Sequence, residues 1–468
     1  MIGARNALVC GPQPTRPYNA RLRLTRLNLM PQIRKLPAID GQLGWFETSS
    51  ARHLTAGQRL QGHHSFDYAV VGAGFTGVAL ARRLAELHPQ ARIALVEALD
   101  VGQGASGRNA GFIIDVPHNV DGGEADAGAN RQLHALNLFA IERLRALKDR
   151  HGIDCDWQDA GKYMAAHETR HIDALEQFSQ GLTQAGFAHE RFDGAELAQR
   201  LGTAYYKAAI YTPGNVLVNP ASLVRGLAAA LPETVTLFTG SPVTAWHASS
   251  PHVLQSSSGS IRADKLVLTV GSFSETFGKV RNRLAPVFTY ASLTEPLTQT
   301  EAGLFDGVVP WGATSAHPAG TTVRYTPDRR IFVRNTFHYR AGLHASDADL
   351  RKALRQHRMS FEARFPLLAA KPFAYTWGGM ISMTLNHHSV FRQEAPNLYS
   401  VVGCNGVGVA KGTYLGHYMA EHMAGIGSPA LDFIVANSQP GWMPPDPFRR
   451  IGAALQLRQA LVGAGGEI

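Results

Sequence analysis

Apolar positions along the chain switch period just after Val71. Phe66-Asp67-Tyr68-Ala69-Val70-Val71 is a short apolar run with a β-branched end, the pattern of a buried parallel strand. Beyond Gly72-Ala73-Gly74-Phe75-Thr76-Gly77, Val78, Leu80, Ala81, Leu84 and Leu87 recur at helical spacing, with Arg82, Arg83 and Glu86 on the other side. Pro89 ends that helix, and Arg92-Ile93-Ala94-Leu95-Val96 predicts a second strand that closes on Glu97. The same periodicity predicts helices over 127–150, 168–186, 347–365 and 409–423, and one N-capped by Asn219 that runs through Leu223, Leu227 and Leu231. Strands are predicted at 235–238, 243–246, 253–255, 265–270, 287–293, 321–325, 331–337, 374–383 and 398–402.

The strand, glycine turn, helix, strand and acid over 66–97 each have a physical task. Gly72 allows the tight turn, Gly74 lets a diphosphate approach the backbone, and Gly77 lets the helix pack on the strand. The helix start offers free N–H groups and a partial positive charge to a pyrophosphate. Glu97, twenty residues past Gly77, stands where a carboxylate accepts hydrogen bonds from ribose hydroxyls. A dinucleotide site is therefore expected. A second glycine-rich stretch, Gly102 to Gly111, places Arg108 and Asn109 as donors and reads as a second cofactor contact.

Nucleotide-type elements return near 219–271 and 398–424, separated by strand-rich blocks. The expected fold is α/β, α+β overall. A Rossmann-like nucleotide domain (40–125, 205–280 and 396–430) is interleaved with a mainly antiparallel sheet domain for substrate (126–204 and 281–395). Residues 431–468 form a tail whose basic amphipathic segment, 447–462, is expected to dock on the body rather than lie on a membrane.

Composition is that of a globular protein: 468 residues, 45% hydrophobic and 17% charged, with no apolar stretch long enough to cross a bilayer. The net charge of +9 suggests nucleic acid at first sight. Residues 1–39, however, carry Arg5, Arg16, Arg21, Arg23, Arg26, Arg34 and Lys35 and no acid, so the body is close to neutral and no nucleic-acid partner is expected. That proline-rich leader is expected to be disordered. It reads either as an over-extended start, with Met30 the true first residue, or as an organelle transit peptide; the first is favoured, which makes the cytoplasm the expected compartment. Cys10, Cys155 and Cys404 show neither metal spacing nor a disulfide framework.

Phe66–Gly77, Glu97, Gly104–Gly111, Asn219-Pro220, Thr269-Val270-Gly271, Thr294-Glu295-Pro296-Leu297, Trp377-Gly378-Gly379 and Gly403–Gly408 together resemble the FAD-dependent oxidoreductases of the D-amino-acid-oxidase superfamily. The Pro444–Arg449 tail is most similar to the branch containing γ-glutamylputrescine oxidase. The resemblance covers about residues 40–460 and implies FAD. Some relatives attach the flavin covalently through Cys or His, but Cys404, beside the expected flavin edge, reads as a small buried cysteine, so the FAD is expected to be non-covalent. Gly72, Gly74, Phe75, Thr76 and Gly77 would hold the diphosphate, and Glu97 the adenosine ribose. Ser106, Arg108, Asn109 and Gly111 would lie along the diphosphate and flavin, Val243 would meet adenine through its backbone, and Gly271 would close the nucleotide pocket. Gly406, Val407 and Gly408 would set a helix start at the flavin N1–O2 edge, where reduced flavin carries negative charge. A nicotinamide enzyme needs no such late glycine–helix element.

The resemblance implies removal of a hydride from the carbon next to an amine nitrogen, with oxygen or another carrier as electron acceptor. An apolar aromatic pocket keeps such an amine neutral. Trp377 is the leading pocket candidate, with Tyr325 and His388 beside it. Amino-acid oxidases of the superfamily usually hold the substrate carboxylate with an arginine shortly after such a glycine. Here the run is Gly379-Met380-Ile381-Ser382, which argues for an amine, γ-glutamylputrescine-like, rather than an α-amino acid. Arg324, Arg330, Arg334 and Arg340 are possible replacements, more often solvated at such positions. His387 and His388 have no third ligand at useful spacing, so no metal is expected. A glycine, sarcosine or D-amino-acid enzyme with a relocated arginine, and a flavin-holding subunit without turnover, are the competing readings.

Overall fold

A computed structural model describes residues 30–54, 57–117 and 124–468. Two large sheets organise the chain. In the first, the strand order is Val390–Ala395, Leu398–Val402, Gly259–Leu268, Gly62–Val71, Ile93–Val96 and Val235–Phe238. Its four central pairings are parallel, which explains why these strands read as continuous apolar runs: both faces are covered. Phe75–Leu87 and Gly408–Met423 pack against each other on one face. A Cβ at Gly416 would lie 2.2 Å from the Thr76 carbonyl oxygen, so glycine there sets the close approach of the two helices.

The second sheet runs Phe373–Met383, Ala285–Thr294, Ile331–Tyr339, Thr322–Tyr325, Trp311–Ser315, Lys162–Ala166, Ala208–Thr212 and Glu190–Asp193. Every pair is antiparallel except Trp311–Ser315 with Lys162–Ala166. The last three strands escaped the periodicity. All are short; Lys162–Ala166 and Ala208–Thr212 each carry two alanines, and Glu190–Asp193 is mostly charged, so cross-strand packing supplies what propensity does not. Val390–Ala395, assigned from the sequence to the substrate domain, instead pairs antiparallel with Leu398–Val402 at the edge of the first sheet.

Residues 1–29 of the expected leader lie outside the described residues, but 30–39 do not belong with them. Ile33 is buried, and its N–H donates to the Thr244 carbonyl at 2.8 Å. The tail helix, Phe448–Ala464, docks through Ala453 and Leu457 onto Ala285, Tyr339 and Met443, and Arg449 pairs with Glu275 at 2.8 Å. Among the described residues, no helix is long and apolar enough to cross a membrane.

His357, on the helix Asp347–Arg364, is fully buried with Nδ1 2.7 Å from Ser292 Oγ, and burial pushes its pKa down to about 3 from the ordinary 6.5. Below pH 6.5 the unfolded chain therefore takes up a proton that the native chain refuses, so stability falls as pH drops toward 3. Urea midpoints measured across that range are expected to fall less steeply for His357→Gln than for the native sequence.

Candidate active site

One cavity of about 320 Å³ lies between the sheets, and the glycine-bearing segments converge on it. Gly72, Gly74, Phe75 and Thr76 form one wall, Gly104 to Ala110 a second, and Gly403, Cys404, Gly406 and Gly408 a third. Gly72 sits at φ +104°, a conformation that L side chains rarely adopt, and its N–H donates to the Val96 carbonyl at 2.7 Å. Gly77 is behind this wall: a Cβ there would stand 1.8 Å from the Gly72 oxygen, so its absence lets the helix sit on the turn.

Two helices point their starts at the cavity. Phe75–Leu87 and Gly408–Met423 both begin without a side-chain N-cap, at Gly74 and Val407, leaving donor groups and positive dipole ends for an anionic ligand. Ser106 Oγ accepts the Phe75 N–H at 3.0 Å and braces the first turn. Glu97 lines the cavity with its carboxylate accepting N–H groups from Ala73 (2.9 Å) and Leu99 (3.0 Å); burial nevertheless raises its pKa.

Arg108 is more of a tie than a free donor. Nε donates to the Gln103 carbonyl at 2.6 Å, and Nη1 to the carbonyls of Asp40 (2.8 Å) and Gly378 (2.9 Å). Burial pushes the guanidinium down to about 10, and Nη2 is buried with no partner among the described residues. Asn109 shapes its own loop, donating to Ser106 O (2.6 Å) and accepting from Gly111 N (2.8 Å).

Val243, Gly271, Gly406 and Gly408 line the same cavity. Gly111 does not: at φ +75° it backs onto Arg324 and Val218, where a Cβ would come within 2.2 Å of either. Val407 serves as the N-cap residue behind the wall.

None of the three substrate-pocket candidates reaches the cavity. Trp377 is fully buried between Trp45 and Phe332 and donates its indole N–H to the Arg108 carbonyl at 3.2 Å, bracing that loop from behind. Tyr325 stacks on Phe305 in the core on the other face of its strand. His387 and His388 lie in the turn after Phe373–Met383 rather than on a strand.

Polar inward positions of the second sheet, which periodicity alone does not single out, line the cavity instead: Thr289, Thr314, Thr322, Ser382 and Arg334, with Phe112, Phe288 and Met380. A polar residue on the covered face of an otherwise apolar strand was the available signal. Ile33, Lys35, Leu36, Pro37 and Ala38, read from composition as leader, also reach the cavity, as does Asp40.

These features fit FAD. The turn that tolerates no Cβ, the two uncapped helix starts, the spare Arg108 Nη2 and the buried acid at the strand end would receive its diphosphate and ribose. The chain belongs to the family of FAD dependent oxidoreductases, which it matches over residues 67–422. It is 26% identical over 372 residues to a probable oxidoreductase OrdL of Haemophilus influenzae, covering 77% of this chain and 83% of the relative. It is 24% identical over 368 residues to a γ-glutamylputrescine oxidoreductase of Escherichia coli, covering 77% and 84%. The crystal structure of glycine oxidase from Geobacillus kaustophilus superposes with a TM-score of 0.65 at 19% identity, covering 78% of this chain and 96% of that one.

Gly77→Ala forces the helix off the Gly72 oxygen. It is expected to cost about 1–3 kcal/mol of stability and to yield a colourless protein, read by thermal unfolding and by visible absorption after purification.

Proposed function

We propose that the chain oxidises a C–N bond of an amine that also carries a carboxylate, with a γ-glutamylputrescine-like amine as the first reading. The observation that carries it is the part of the cavity against the second sheet. That wall is mostly apolar or hydroxylic, Phe112, Phe288, Met380, Ile381, Thr289 and Thr322, with a single guanidinium, Arg334. When bound, FAD supplies the hydride acceptor.

The apolar part of the wall disfavours an ammonium and so holds the reacting amine in its neutral form. Of the four candidate arginines, three are committed elsewhere. Arg324 Nη1 donates to the carbonyls of Ala110 (2.7 Å) and Val218 (2.8 Å), Arg330 pairs with Asp328 at 2.7 Å, and Arg340 pairs with Asp349. Arg334 stands between Ala291 and Thr322 on the neighbouring strands and lines the cavity. It has no hydrogen-bond or ion-pair partner among the described residues, and burial pushes its pKa down to about 10. A half-buried cation without a counter-charge favours an anionic ligand.

A glutamyl group brings such an anion at a distance from the oxidised carbon, and an α-amino acid brings it next door. Arg334 therefore supports a second reading as well, an amino-acid oxidase or dehydrogenase whose arginine has moved to this strand.

Anaerobic mixing separates the readings. Bleaching of the flavin by γ-glutamylputrescine but not by glycine, sarcosine or D-amino acids supports the first; the reverse supports the second; bleaching by none sinks both. Arg334→Met is expected to raise the KM of the carboxylate-bearing substrate by about 30- to 1000-fold, as for a lost charge-assisted pair. It should leave the response to plain putrescine, if any, unchanged.

A further inference from the structure

We propose that residues 33–40 are a cofactor clamp: a strap that crosses the cavity, is latched to both sheets, and sets how fast bound FAD leaves. The proposal rests on FAD binding in this cavity and extends it to a segment upstream of the family-matched residues 67–422.

The strap has one foot on each sheet. At one end Gln32 bridges to Ala245, Ile33 N–H donates to Thr244 O at 2.8 Å, and the Ile33 side chain is buried with Val243 and Trp246. At the other end Gly41 bridges to Trp377, and the Asp40 carbonyl accepts the Gly378 N–H at 2.8 Å. Asp40 Oδ1 accepts the Ala345 N–H at 2.9 Å.

Between these anchors the backbone has no ladder partners. Lys35, Leu36, Pro37 and Ala38 line the cavity while remaining open to solvent on their outer side. Among the described residues, the one tie in the middle is Lys35 Nζ donating to Ala341 O at 2.8 Å. Seven residue steps in extended form span up to about 25 Å. That is enough to run from Val243, on the expected adenine side, to Gly378 beside Arg108.

Two physical consequences follow from this layout. A segment held at its ends and by one exposed central tie opens at low free-energy cost without disturbing either sheet. Its latch is also shared with the ligand wall, because Arg108 Nη1 holds Asp40 O and Gly378 O together while the same side chain lines the cavity. A ligand that orders Arg108 therefore also orders the foot of the strap, and a free strap loosens the seat.

The test uses the full-length holoprotein and follows the appearance of free FAD fluorescence after dilution. Ile33→Asp, which expels the buried anchor, and Lys35→Ala, which removes the central tie together with a cavity-lining charge, are each compared with the native sequence and with Lys35→Arg, which keeps the charge. Release is expected to quicken by about tenfold or more in Ile33→Asp and by several-fold in Lys35→Ala. Trypsin cleavage after Arg34 or Lys35, read by mass spectrometry, is expected to be slower in holoprotein than in apoprotein. Release from folded Lys35→Ala within twofold of native, together with cleavage at Arg34 and Lys35 indifferent to FAD, overturns the clamp. A native protein that retains no FAD would instead overturn the cofactor assignment itself, so the two failures are distinct.

Discussion

A single buried guanidinium joins the three parts of the molecule that make the cavity. Arg108 spends its donors on carbonyls of its own loop, of the segment that crosses the cavity and of Phe373–Met383, the edge strand of the second sheet. Carbonyl oxygens are the partners here, with only Asp40 nearby to offset the charge, and burial depresses the pKa accordingly. Such a group is tolerable only while those hydrogen bonds persist. The junction between sheets is thus set by polar geometry at its centre, and the apolar packing of Trp45, Phe332 and Trp377 behind it keeps that geometry in register.

The cavity is electrostatically divided. Where it meets the first sheet, helix starts and backbone N–H groups provide fixed positive ends without side-chain charge, suited to a group that is bound permanently. Against the second sheet the positive charge is one flexible side chain, Arg334, set among threonines on strands. Helix dipoles cannot be swapped by a point substitution, whereas a strand residue can. The cofactor side is therefore fixed by the architecture, and the second-sheet side by a few replaceable positions on a sheet face.

Much of the first sheet was legible because its strands are buried on both faces and its helices keep a strict apolar stripe. Asn219, for example, caps its helix through Ser222 N as expected. Gly72, Gly74 and Gly408 were legible because backbone conformation or close approach restricts what can stand there, and Glu97 because of its spacing from the glycine turn at the end of the second strand. The substrate-side wall was not legible. Trp377 looked like a pocket residue because it is large and sits beside glycines, but those glycines make room for the Arg108 loop, against which its indole packs. Arg334 looked solvated because its neighbours along the strand say nothing about the cavity on the face it shares. Register across three strands, which a single sequence does not display, decides that. Residues 30–39 were misread for a related reason: proline and basic residues describe how a segment behaves alone, and this one is fixed by partners hundreds of positions away.

That distance has a consequence for biosynthesis. Ile33 to Asp40 emerge from the ribosome early, yet their docking points, Thr244, Ala341, Ala345 and Gly378, are made more than two hundred residues later. Until those partners are made the segment has nothing to close on. Strap closure is therefore a late, long-range step of folding, one that local structure near residue 33 cannot start by itself.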